Sequence, residues 1–251
     1  MKEVLKKLFL KFGYKIVNIN STERDAFKDQ VKLTDNNSIT IFDVGACTGS
    51  VTLQYNSLFK KAVIYSFEPY FPSFEILKKE ISRFNNVKVF NIALSDKTGQ
   101  IGFHVNKSYA TNSILETHPD SGESWNHEAL NTIEKIKIDT ITLDDFIDQN
   151  KIDKIDILKL DTQGTEYQII EGASKSIEQN KISLIYLEII IMPTYKGQKS
   201  FDEILYLLRS KGFALYNLYN FSYTNLGELR QVDAIFTRQL IKYSYINAKG
   251  G

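Results

Sequence analysis

Cysteine is almost absent. Cys47 is the only one, so the chain forms no intramolecular disulfide and has no thiolate cluster for zinc or iron–sulfur. Such usage suits a reducing, cytoplasmic setting. The three histidines, His104, His118 and His127, are scattered without ligand spacing, so no metal site is expected. Net charge is nearly absent too, with 31 basic side chains against 30 acidic ones. Proteins that bind nucleic acid displace counterions with a cationic surface, so no nucleic-acid partner is expected. Long apolar runs are also missing. The longest, Ile182 to Met192, is interrupted by Glu188 and falls far short of the ~20 residues that span a bilayer. Met1 to Phe12 carries lysines but no continuous apolar stretch and no small-residue cleavage site, so it does not read as a secretory signal.

What is present is an ordinary globular composition, 43% apolar and 24% charged over 251 residues, enough for one large α/β domain. Val4, Leu5, Leu8, Phe9 and Phe12 recur at helical spacing opposite Lys2, Lys6, Lys7 and Lys11. Such a helix packs on the main domain or offers a basic face for peripheral membrane contact. A second helix is expected over Asp25 to Leu33, and Asp35-Asn36-Asn37-Ser38 reads as a turn. Strands are then predicted at Ile39 to Val44, Ala62 to Phe67, Val87 to Ala93, Ile155 to Leu160 and Ile182 to Ile190. Helices are predicted over Gly49 to Phe59, Phe71 to Phe84, Leu143 to Gln149, Thr165 to Glu171 and Phe201 to Ser210. Strands alternating with helices imply right-handed crossovers and a parallel sheet. Phe213 to Leu218 and Gln231 to Phe236 add an antiparallel pair at the end. The expected fold class is therefore α/β and Rossmann-like: a mostly parallel central sheet, an antiparallel C-terminal strand pair, and helices on both faces. Residues 1–38 read as a helical extension and 39–251 as the main domain.

The middle breaks the alternation. Gly99 to Val105 and Thr132 to Ile141 read as extra strands, separated by a polar stretch that holds the sole tryptophan, Trp125. A structureless segment of this length inside a compact domain is more often functional than accidental, so the insert over about 104–131 is expected to form part of an acceptor site.

Asp43-Val44-Gly45-Ala46-Cys47-Thr48-Gly49 follows the first strand and opens a helix. Gly45 lets the chain turn sharply close to a ligand, and Gly49 permits tight entry into the helix. Asp43 is suited to a cationic ammonium group and would repel a pyrophosphate. The next strand ends at Glu68-Pro69, where an acid can grip both hydroxyls of a ribose. Both features sit at carboxyl ends of neighbouring strands, where ligands bind in open α/β sheets.

These segments resemble a known family. Ile41-Phe42-Asp43-Val44-Gly45-Ala46, Tyr65-Ser66-Phe67-Glu68-Pro69, Asn91-Ile92-Ala93-Leu94-Ser95-Asp96, Thr142-Leu143-Asp144-Asp145-Phe146, Leu158-Lys159-Leu160-Asp161 with Gly164 and Glu166, and Glu171-Gly172-Ala173 are similar in order and spacing to the motifs of FkbM-type methyltransferases. The resemblance implies a class I methyltransferase core that binds S-adenosylmethionine (SAM). It implies that Asp43, Gly45, Ala46 and Gly49 hold the methionyl part and that Glu68 with Pro69 holds the ribose. Ala93, Ser95 and Asp96 would border the adenine. Asn112 and Ser113 match a polar spot that suggests acceptor binding. The chain departs from the family at Cys47, where asparagine is usual, and at Gln163, where an acid is usual. The second departure argues against any scheme needing another carboxylate beside Asp161, a divalent-metal site included.

Methyl transfer from a sulfonium to oxygen needs an in-line acceptor and a base for its proton. Asp161, at the end of an apolar strand, is the leading candidate; the alternative is a cap for the following helix, and the two roles can coexist. Glu188 is embedded in an apolar strand and needs a partner such as Lys159, or faces the site. Lys159 itself reads as half of a structural ion pair. His104 has a suitable intrinsic pKa, with His118 a similar alternative in the insert. Trp125 offers a flat face to a sugar ring. The expected activity is O-methylation of a hydroxyl on a sugar, glycan or other secondary metabolite. Two rivals stand beside it. An NAD-dependent oxidoreductase would share the turn and ribose acid, though the full Gly-x-Gly-x-x-Gly is missing. A non-catalytic SAM-binding module would keep the fold without turnover. A nucleic-acid methyltransferase is disfavoured, since the fourth-strand position reads Asp161-Thr162-Gln163-Gly164.

Overall fold

The computed structural model describes residue 9 and residues 25–34, 38–123, 125 and 128–238. Apart from Phe9, the helix expected over Val4 to Phe12 lies outside the described residues, and with it the membrane-contact reading; so do Asp35 to Asn37 and His127.

In chain order the strands are β1 (Thr40–Val44), β2 (Val63–Phe67), β3 (Val87–Phe90), β4 (Ala93–Ser95), β5 (Gly99–Asn106), β6 (Thr132–Thr142), β7 (Ile155–Leu160), β8 (Ile182–Ile190), β9 (Phe213–Tyr223) and β10 (Leu229–Arg238). The helices are α1 (Ala26–Leu33), α2 (Ser50–Leu58), α3 (Phe71–Ile81), α4 (Leu143–Asn150), α5 (Glu166–Glu171), α6 (Ser174–Glu178) and α7 (Phe201–Ser210). The central sheet runs β3-β2-β1-β7-β8-β10-β9. β1, β2, β3, β7 and β8 pair in parallel, and β10 runs antiparallel to both β8 and β9. The C-terminal hairpin is thus threaded so that only its second strand opposes the rest.

Alternation along the central strands divides the core between two faces. Phe42 and Val44 of β1 join the cluster under α4, α5, α6 and α7, with Phe146, Ile169, Ile177 and Leu208. Ile41, between them in the pleat, joins Ala26, Tyr55, Leu77 and Ile81 of α1, α2 and α3 on the other face. A strand buried on both sides has no solvent-facing side, which is why these segments are mostly apolar and lack a regular polar alternation. α1 belongs to this body: Tyr55 donates its hydroxyl hydrogen to Gln30 Oε1 at 2.8 Å, and Tyr219 donates to Asp29 Oδ2 at 2.9 Å. Caps set the helix starts. Asp25 accepts from Phe27 N at 2.9 Å, and Ser200 with Glu203 forms a capping box that begins α7 where the sequence predicts it.

The expected third strand, Val87 to Ala93, is two strands. At Asn91 the side chain donates to the carbonyls of Glu68 and Pro69, both at 2.9 Å, and the chain leaves the central sheet. β4 then pairs with β6, and β5 pairs with β6 on its other edge, making a separate three-stranded sheet. The insert is the connection between β5 and β6.

Candidate active site

Strand register aligns the carboxyl ends. Val44 lies opposite Phe67 on one side and Leu160 on the other, and Leu160 lies opposite Leu187. The residues that follow, Glu68, Gly45, Asp161 and Glu188, therefore form one row across β2, β1, β7 and β8. The strand order reverses between β1 and β7, the place where open α/β sheets bind ligands. A cavity of about 410 Å³ opens there, and all four residues of the row line it.

Gly45 has φ +74, and a Cβ added to it would lie 1.9 Å from the carbonyl oxygen of Asp161. Only glycine lets β1 turn this close to the end of β7. The turn carries Cys47 N into contact with Glu68 Oε2 at 2.9 Å, while Tyr70 N donates to Oε1 at 2.8 Å. Burial pushes the Glu68 carboxyl up to about 7, with those two N–H groups pulling the other way. An ionised carboxylate has about four acceptor sites, so lone pairs remain for a vicinal diol.

Asp43 does not reach the cavity. It is fully buried, accepts from Thr52 Oγ1 at 2.6 Å, and lies 3.1 Å from Lys159 Nζ. The ammonium group it grips is the chain's own. Lys159 also donates to Gly45 O at 3.1 Å and sits 3.7 Å from Asp161 Oδ2, tying the turn to β7. Burial works against its charge, but Asp43 and Asp161 outweigh that and hold it above the ordinary lysine range. Gly49 also lies off the cavity. With φ +95 it precedes α2, and a Cβ there would sit 2.7 Å from Leu77 Cδ1, so it serves helix packing.

The acidic end is a network. Glu188 faces the site, the second of its two expected roles; it accepts from Gln163 Nε2 at 3.0 Å and from Gln231 Nε2 at 2.8 Å, and not from Lys159. Burial, then the charges of Asp161, Glu166 and Asp233, hold its carboxyl well above the usual range. Asp161, its side chain 39% exposed, accepts from Gln163 Nε2 at 3.0 Å. It caps no helix: Glu166 Oε1 takes Thr162 N at 2.7 Å instead.

The insert lies over this row. Tyr109, Asn112 and Trp125 line the cavity, and Ser113 lies just behind, donating to Gln163 O at 2.7 Å. Asn112 Oδ1 accepts from Asn106 N at 2.8 Å, which leaves its buried Nδ2 without a partner. Trp125 donates to Thr194 Oγ1 at 2.8 Å and carries the Arg230 guanidinium 4.3 Å from its ring centroid. His104 does not line the cavity. It is adjacent to Phe103 in β5, and adjacent strand residues point to opposite faces; Phe103 faces the cavity, while His104 sits near Lys135, Glu116 and Lys196. His118 does not line it either. Ala93 and Pro69 do, whereas Ser95 and Asp96 lie beyond it, Ser95 donating to Asp96 Oδ1 at 3.1 Å. Leu94 and Phe103 line the cavity beside Ala93, where Ser95 and Asp96 were expected to border the adenine. Gln231, delivered by the antiparallel β10, has no motif that would mark it in sequence; Gln163 is marked only as a departure from a pattern.

Residues 43–215 match the methyltransferase FkbM domain. The chain is 26% identical to the 2-O-methyltransferase NoeI of Sinorhizobium fredii, over 72% of this chain and 75% of that one. It is also 26% identical to the AMB antimetabolite synthetase AmbE of Pseudomonas aeruginosa, over 78% of this chain but 11% of that protein. Among solved structures it is similar to magnesium protoporphyrin IX methyltransferase from Synechocystis PCC 6803 with bound SAM, at 12% identity and a TM-score of 0.48, covering 84% of this chain and 76% of that one. The NAD-dependent alternative falls with the family match, which spans the glycine turn, the ribose acid and Asp161. A cavity that sets carboxylates beside a glycine turn suits a cationic nucleoside in a way it would not suit a pyrophosphate. The chain belongs to the FkbM family of methyltransferases, and its methyl donor is SAM.

Proposed function

We propose that this methyltransferase acts on a hydroxyl of a sugar, glycan or other secondary metabolite, with Asp161 as the base. The observation that carries the reading is the placement of Asp161: it is level with the Gly45 turn, open to the cavity, and excused from capping. The 2-O-methyltransferase name of one relative supports transfer to oxygen.

Bound SAM supplies an electrophilic methyl carbon and a thioether leaving group. Glu68 holds the ribose diol, the Gly45–Ala46 turn approaches the methionyl chain, and Pro69 and Ala93 border the base. Asp161 takes the proton of the acceptor hydroxyl, while Lys159 and Gln163 fix its two oxygens. Asn112 donates its free amide hydrogens to an acceptor oxygen, and Trp125 offers its ring edge or face beside it. Glu188 stands next to Asp161 as a second acceptor for a neighbouring hydroxyl. A base in this role contributes roughly 10²–10⁴-fold.

The test is transfer of isotope from methyl-labelled SAM to a panel of neutral sugars and oligosaccharides. Asp161→Asn is expected to lower incorporation at least about 100-fold while keeping affinity for S-adenosylhomocysteine (SAH). Label in no acceptor, with SAH bound normally, would instead favour a binding module without turnover.

A further inference from the structure

Gln163 lies in the turn between β7 and α5 at φ +57, a left-handed conformation uncommon for a residue other than glycine. That conformation brings its side chain back across the strand ends. The amide nitrogen lies 3.0 Å from Asp161 Oδ1 and 3.0 Å from Glu188 Oε2, so its two hydrogens are divided between carboxylates on neighbouring strands. The amide oxygen accepts from the Tyr195 hydroxyl at 2.9 Å. Tyr195 is buried at 1% exposure, and its hydroxyl is equally close to Thr111 O, in the insert. Reversing the amide would set its oxygen against two carboxyl groups and remove the donor they share. Lys159 approaches Asp161 from Oδ2, the other oxygen, and Gln231 approaches Glu188 at Oε1. Between the two acids, Gln163 is the donor.

We propose that Gln163 is the positioning residue of the reaction centre: one amide nitrogen holds Asp161 and Glu188 side by side at the cavity wall, with lone pairs left for the acceptor. The inference rests on the reading of Asp161 as the base. Like carboxylates brought this close repel one another, so without a shared donor they would separate or take up a proton. The same residue is latched to the insert by its backbone carbonyl, which accepts from Ser113 Oγ at 2.7 Å, so the segment that covers the cavity and the acids within it share one anchor.

Gln163→Glu is the informative change. It keeps the shape and the oxygen that Tyr195 reaches, and replaces the shared donor by a third carboxyl. In the folded protein that carboxyl has a raised pKa, so it costs little below its unfolded value and more as pH rises through the folded value. Asp161, Glu188 and Tyr195 contact the position, and Glu166, Asp233 and Lys159 act on Glu188 beside it, in both proteins, so the difference between the two melting curves reports the change at residue 163. The gap in Tm is expected to be small at pH 5 and to widen to about 5 °C or more at pH 8.5. Gln163→Glu combined with Glu188→Gln puts a donor back opposite an acid and is expected to recover at least half of the gap. A gap independent of pH, or a double variant no better than the sum of its parts, overturns the proposal and leaves Gln163 as a space-filling residue. SAH titrations on all proteins separate the two claims. A wild-type chain that binds no SAH removes the methyl-transfer reading of the cavity, while the melting curves still decide the role of Gln163.

Discussion

Acidifying the protein from pH 8 to pH 6 is expected to weaken its hold on SAH about tenfold through Glu68. The carboxyl sits near 7 because burial raises it from 4.5. With that value, roughly nine carboxyls in ten are ionised at pH 8 and roughly one in ten at pH 6. Only the ionised form can accept both hydrogens of a ribose diol while keeping the bonds from Cys47 N and Tyr70 N. The same displacement acts on the ligand-free fold with a definite sign. Since the folded value lies above the unfolded one, its stabilising effect is full below about pH 4.5 and is lost as pH rises through about 7, some 3 kcal/mol in all. Part of that loss is recovered when a diol arrives. Calorimetric titration with SAH at pH 6, 7 and 8 and constant ionic strength reads the slope directly, and Glu68→Gln should bind weakly with no slope. A flat wild-type profile, or a Glu68→Gln profile as steep as the wild type, would refute the reasoning.

Gly45→Ala must move its new methyl from 1.9 Å to at least about 3.0 Å from Asp161 O, so the turn retreats by ~1 Å and methyl transfer should fall about 100-fold. Activity within tenfold of wild type would mean that the turn and β7 are not in register with the chemistry. Lys159→Met strands a fully buried Asp43 carboxylate, at a cost of about 3–5 kcal/mol in urea unfolding, and adding Asp43→Asn should return much of it. A loss below ~1 kcal/mol would show that Thr52 alone satisfies Asp43. Cys47 lines the cavity, and burial followed by the Glu68 charge raises its thiol. As the only cysteine it should react slowly with a maleimide at pH 7, and at least about tenfold more slowly with saturating SAH, read by intact mass. Equal rates with and without ligand would place the ligand elsewhere.

The doubly wound architecture was legible because its strands are buried on both faces and its helices on one. Ile155–Leu160, Ile182–Ile190 and Phe201–Ser210 begin and end where periodicity and capping predict. The break at Asn91 was not legible, since a side chain bonding two carbonyls just beyond another strand leaves no local trace. Nor was the fate of His104. Its intrinsic pKa suits a base, but one step of strand pleat turns it away from the cavity and turns Phe103 toward it. Asp43 illustrates the same limit: its chemistry suggests an ammonium partner, and only packing shows that Lys159 supplies it.

Sequence by itself determined the order of the central strands, the glycine at the sharp turn, and the acids that follow β2 and β7, because these follow from local burial patterns and backbone sterics. Tertiary structure alone decided which of those acids share a cavity. Inter-strand register set Glu68, Gly45, Asp161 and Glu188 in one row, and long-range contacts brought Gln163, Gln231 and Asn112 against it. Register and crossing contacts join residues far apart in the chain, and no local signal encodes them.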